Sequence, residues 1–131
     1  MKLSKLLSCV ATTGLWLALQ SGALAGAASV TLEDARSALE KSSAVVIDVR
    51  EPGEHTNGVA KGALLIPMGQ VEQRLSAVAP SKTQPIILLC ATQNRSARLA
   101  DKLRAAGYSQ ISYAQGGMSQ WSSRGWPMIK P

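Results

Sequence analysis

Cys90-Ala-Thr-Gln-Asn-Arg95-Ser96 is the stretch of this 131-residue chain whose residue types could do covalent chemistry. A thiol is a nucleophile when it ionises, and ionisation is favoured by nearby positive charge and by free backbone N–H groups. Both are in prospect here. The apolar run Ile86 to Leu89 follows Pro85 and is the right length for a buried strand. Leu99, Leu103 and Ala106 recur at helical spacing from Ser96 onward, with Arg98, Asp101, Lys102 and Arg104 on other faces. Gly107 ends that helix. Cys90 therefore lies between a strand and a helix N-terminus, where N–H groups bind anions. Arg95 adds a fixed positive charge. Alone, a cysteine at a strand end reads as an inert core residue; its surroundings make it a candidate nucleophile.

The elements that must position this loop can be followed along the chain. Thr31-Leu-Glu-Asp34 has the form of a capping box and opens a helix to about Lys41. Ala44 to Val49 is a β-branched run expected as a buried strand. Pro52 and Gly53 break it, and Glu54 to Gly58 form a turn or short helix. Ala63 to Ile66 is expected as a second buried strand, stopped by Pro67. Val71, Leu75 and Val78 mark a helix that ends at Pro80. Gln110 to Ala114 alternates like a strand, and a last short helix is expected over Met118 to Arg124. Alternating apolar strands and helices give an α/β fold of three layers, a parallel sheet with helices on both faces. Ligands of such sheets bind beyond the carboxyl ends of the strands. Cys90 occupies that edge, as do Asp48 and Arg50, which are possible supporting residues or an ion pair tying loops to the strand end.

Composition narrows the classes. Lys and Arg number 14 against 8 Asp and Glu, but the basic residues are scattered, so no nucleic-acid partner is expected and small anions are. Lys2 and Lys5 precede an apolar stretch, Leu6 to Leu19, and Ala23-Leu-Ala25 offers a small-residue cleavage site. Residues 1–25 are therefore expected to be a signal peptide and residues 26–131 the mature domain. The product would be periplasmic or secreted, with no stable membrane association once the signal is cut. The alternative is an uncleaved anchor, which the polar Thr12, Thr13, Gln20 and Ser21 argue against. Cys9 follows too little apolar sequence for lipid attachment. Cleavage would leave Cys90 as the single cysteine, with no resolving partner for thiol–disulfide exchange. One Cys and one His make no structural zinc site, so no metal and no cofactor is expected.

Three motifs together resemble the rhodanese family. Ile47-Asp-Val-Arg-Glu-Pro-Gly-Glu54, with Gly58-Val-Ala-Lys-Gly-Ala63 before Ile66-Pro67, is similar to its opening motif. Cys90 to Ser96 is similar to its active-site loop. Gly107-Tyr108, Gly116-Gly-Met-Ser-Gln-Trp121 and Gly125-Trp-Pro127 are similar to its closing motif. The likeness spans roughly residues 29–128, and the layout is that of an exported single-domain member of the phage-shock type. Gln93 stands where the family often has glycine, and Val59 and Lys61 replace a usual His and Pro; His55 stands where an aromatic is common.

The resemblance implies a thiosulfate sulfurtransferase working through a persulfide on Cys90. Ala91, Thr92, Gln93, Asn94 and Arg95 would bind the donor. A small anionic sulfur donor and a thiol or cyanide acceptor would be the partners. Rival readings are a non-enzymatic module that carries sulfur or binds another protein, and a rhodanese-fold phosphatase. Retention of the cysteine argues against the first. The second has one more residue between Cys and Arg than is present here. His55 is expected as a packed or surface residue rather than a general base, Trp121 as a core residue, and Gly116 and Gly117 as backbone devices.

Overall fold

The computed structural model describes residues 26–131, so the expected signal peptide, residues 1–25, lies outside the described residues. Five strands form one parallel sheet in the order β1-β5-β4-β2-β3. In chain order the elements are β1 (Ala28–Val30), α1 (Leu32–Lys41), β2 (Val45–Asp48), α2 (Pro52–His55) and β3 (Leu64–Leu65). They continue with α3 (Met68–Val78), β4 (Ile86–Leu89), α4 (Asn94–Ala105), β5 (Ile111–Ala114) and α5 (Gly117–Ser123).

The central strands are apolar on both faces because both faces are covered. Ile47, Val49, Ile86 and Leu88 pack with Val71, Leu75, Leu99 and Leu103 of α3 and α4. Val46, Ile87 and Leu89 point the other way, toward Leu32, Ala35 and Ala38 of α1 and Met118 and Trp121 of α5. Successive strand residues thus feed opposite layers. Each fully buried Leu or Ile contributes roughly 1.5–3 kcal/mol of apolar transfer.

The capping box at the start of α1 is present. Thr31 Oγ1 accepts from the Asp34 amide, and the Asp34 carboxylate accepts from the Thr31 amide. Two strands differ from expectation, and α2 spans Pro52–His55 where a turn or short helix was expected over Glu54 to Gly58. The run Ala63–Ile66 contributes a strand of two residues at the sheet edge, and Leu64 is 38% exposed rather than buried. An edge strand has one neighbour, and Pro67 stops it at once. β1 escaped sequence reading. It is a three-residue, largely exposed segment, held by its parallel pairing with β5.

The site follows from the register. Val45 to Asp48 pair in order with Ile86 to Leu89, so β2 and β4 end side by side. The chain leaves β2 toward β3 and leaves β4 toward β5, on opposite sides of that seam. A crevice opens at such a switch point. The β2 and β4 carboxyl ends bring Asp48, Arg50 and Cys90 to it.

Candidate active site

Cys90 is 1% exposed and lies directly beyond β4. Ala91, Thr92 and Gln93 turn the chain, and α4 begins at Asn94, two residues before the Ser96 expected from periodicity. Asn94 and Arg95 are thus the first turn of the helix. Gln93 makes the turn at φ −157° and needs no left-handed backbone. Its side chain turns to the protein, where Oε1 accepts from the Gly116 amide at 3.1 Å.

Three carbonyls of the loop are committed and its amides are not. The Met118 amide donates to Cys90 O and the Ser119 amide to Ala91 O, each at 2.8 Å. The Gln93 carbonyl accepts from the Ala97 amide at 2.8 Å. For the backbone N–H groups of residues 91–96, no acceptor is found among the described residues. Six successive donors around a thiol make a cradle for one negative charge. The loop is held from behind by α5, whose first residue, Gly117, has φ +56°. A Cβ on Gly117 would lie 2.7 Å from the Ala91 carbonyl oxygen and would also collide with those of Cys90 and Thr92. Glycine is required there for both reasons.

Ser96 is fully buried, with Oγ 3.3 Å from Cys90 Sγ and 3.1 Å from the Gln93 carbonyl. Its single proton can go to one of them at a time. With a thiol at Cys90, S–H donates to Oγ and the hydroxyl donates to Gln93 O. With a thiolate, the hydroxyl turns to sulfur. Ser96 touches Cys90 although sequence reading gave it no role; its place in the first turn of α4 was the available signal.

Two ion pairs stand near the loop. Arg50 Nη2 contacts Asp48 Oδ2 at 2.8 Å and Arg50 Nε reaches both carboxylate oxygens, so the two form a buried bidentate pair. Arg50 also donates to the Gly58 carbonyl at 2.9 Å. Arg50 and the loop residue Ala91 line a cavity of about 140 Å³, with Ser119, Ser122 and Met128. His55 is packed, the first of the two alternatives left by the sequence. Its Nε2 is 3.4 Å from Asp48 Oδ1 and has no hydrogen-bond partner among the described residues.

Arg95 is not a free cation. Its two terminal nitrogens grip Glu54 Oε2 and Oε1 at 2.8 and 2.7 Å. Glu54 Oε2 also accepts from the Glu51 amide at 2.9 Å, the capping contact of α2. The Arg95 hydrogen bonds hold the Glu54 carboxyl at about 2, against an ordinary value of 4.5. Sequence reading missed this partner, which is 41 positions away. Among the described residues, no group of three or more His, Cys, Asp and Glu side chains could hold a metal ion, and no helix is long and apolar enough to cross a membrane.

Residues 31–124 match the model of the rhodanese-like domain. The uncharacterised protein YqhL of Bacillus subtilis is 36% identical over 96 residues, 73% of each chain. A sulfurtransferase of Allochromatium vinosum is 28% identical over 87 residues, covering 66% of this chain and 79% of the relative. Among solved structures, the polysulfide-sulfur transferase homodimer of Wolinella succinogenes superposes with a TM-score of 0.68 at 27% identity, over 80% of each chain.

Proposed function

The chain belongs to the rhodanese-like family, and from that premise we propose that it is a sulfurtransferase that carries sulfane sulfur on Cys90. The donor is a small anion: thiosulfate, a thiosulfonate or a persulfide. The acceptor is a thiophile such as cyanide or a thiol. The observation that carries this reading is the buried thiol of Cys90 beneath six backbone N–H groups that have no acceptor among the described residues.

The chemistry follows from that arrangement. The Cys90 thiolate attacks the outer sulfur of the donor. The S–S bond of thiosulfate breaks, and sulfite leaves with the electron pair; a thiosulfonate releases a sulfinate. The persulfide now carries the negative charge on its outer sulfur. The N–H groups of Ala91 to Arg95 hold that charge as an oxyanion hole holds oxygen. Cyanide then attacks the outer sulfur, leaves as thiocyanate and restores the thiolate. Two displacements replace one difficult transfer, which gives ping-pong kinetics. Asp48 and Arg50 act in support, fixing the end of β2 and the Gly58 turn against the loop.

A ring of N–H groups between Cys90 and Arg95 suits one sulfur atom. Phosphoryl transfer needs donors to three equatorial oxygens, and Arg95, the cation that would meet them, is bound to Glu54. The test is thiocyanate formation from thiosulfate and cyanide, run beside hydrolysis of an aryl phosphate. Thiocyanate formation lost in Cys90→Ser, with no phosphate release, supports the reading. Robust phosphate release that depends on Cys90 overturns it. Residues 1–25 act, in this proposal, as an export signal that delivers the domain to the periplasm or beyond.

A further inference from the structure

The two guanidiniums beside the Cys90 loop are both neutralised. Arg50 is held by Asp48 and Arg95 by Glu54, each pair bidentate. Once these charges cancel, what attracts an anion to the cradle is the set of backbone N–H groups, and these suit one negative charge. Thiosulfate brings two. We propose that Glu54, by neutralising Arg95, makes this site selective for monoanionic sulfane donors, thiosulfonates and persulfides, over dianionic thiosulfate.

This rests on the sulfur-transfer reading and adds the donor class. Arg95 sits in the first turn of α4, and its charge is coupled to Cys90: a thiolate there raises the guanidinium, as Glu54 does more strongly. The pair stands beside the loop that holds the reacting sulfur. Both side chains are about a third exposed, 37% for Arg95 and 35% for Glu54, so the pair is open to solvent beside the loop. Glu54 is fixed independently of Arg95, because the Glu51 amide holds the same carboxylate oxygen. Its negative charge stays in place whether or not a donor arrives.

Thiosulfate and the methanethiosulfonate anion separate charge from shape. They differ by one O⁻ replaced by a methyl group, and each delivers its outer sulfur to a thiolate, releasing sulfite or methanesulfinate with the bonding pair. The experiment measures kcat/KM for both, with cyanide as acceptor, in the full chain and in two variants. Glu54→Gln keeps an acceptor for Arg95 and for the Glu51 amide while removing the charge. It should raise the thiosulfate-to-methanethiosulfonate ratio ~5-fold, mainly through a lower thiosulfate KM. Arg95→Gln leaves Glu54 unopposed and should lower the same ratio by a similar factor, so one folded variant suffices to decide. A ratio that stays at its original value in a folded variant overturns the proposal, as does equal loss with both donors. Failure of both donors to load Cys90 in the unaltered protein would instead remove the sulfur-transfer reading, and the selectivity with it.

Discussion

Gly117 closes on Thr92 so tightly that no side chain could stand between them: a Cβ on Gly117 would overlap the Thr92 carbonyl oxygen. This contact joins α5 to the loop that carries Cys90. It lets the Met118 and Ser119 amides take the carbonyls of Cys90 and Ala91, which leaves the opposite, N–H side of the loop for a ligand.

Gly117→Ala should therefore cost stability and function together. It forces a side chain into φ +56° and into three carbonyl oxygens. The combined strain should be about 2–4 kcal/mol, read as a lower urea midpoint. Activity of the remaining folded protein should fall further than its folded fraction does. A variant as stable and as active as the original would show that the loop does not depend on this contact.

Ser96→Ala tests the proton partner of the thiol. The hydroxyl is 3.3 Å from Cys90 Sγ, and a hydrogen bond to a charged group is worth about 1.5 kcal/mol or more. Persulfide formation at saturating donor should slow about tenfold in single-turnover measurements. The Gln93 carbonyl keeps its bond from the Ala97 amide, so the urea midpoint should move less than in Gly117→Ala. An unchanged loading rate would leave Ser96 with a packing role alone.

The Glu54–Arg95 pair has a defined pH window. The folded protein holds the Glu54 carboxyl at about 2, below its ordinary 4.5. A depressed carboxyl stabilises the fold above the ordinary value and loses that contribution as pH falls through the depressed one. The difference in Tm between the unaltered protein and Glu54→Gln should thus be constant from about pH 5 to 8 and shrink between about 4.5 and 2. A difference that persists undiminished at pH 2 would show that charge is not its source.

The fold was largely legible because its signals are local. Three β-branched residues mark β2 and four apolar ones mark β4, and Thr31 with Asp34 marks the start of α1 within one turn. β1 was not legible, because Ala28–Val30 has neither length nor burial and exists by pairing with β5. In the site, Cys90 and its strand–helix junction could be read from neighbours in sequence. The capture of Arg95 by Glu54 could not, since Arg95 as a free cation and Arg95 in an ion pair have the same local pattern. Gly117 offered the Gly116-Gly117 doublet, which indicates a backbone requirement but not the carbonyls that impose it.

Export is checked by the protein's N-terminus. Protein recovered from the exported fraction should begin near Gly26, because Ala23 and Ala25 supply the small side chains a signal peptidase needs. An intact Met1 on a membrane-bound form would support the anchor instead.

The central claim is that sulfur resides covalently on Cys90 between donor and acceptor. The measurement that meets it most directly is a mass spectrum of the protein and of its Cys90 peptide after a sulfane donor, then after cyanide. One sulfur, about 32 Da, should appear on Cys90 and depart with cyanide as thiocyanate. Cys90→Ser should neither gain the mass nor turn over. Steady turnover with no mass gained at Cys90, or full turnover by Cys90→Ser, would contradict the account.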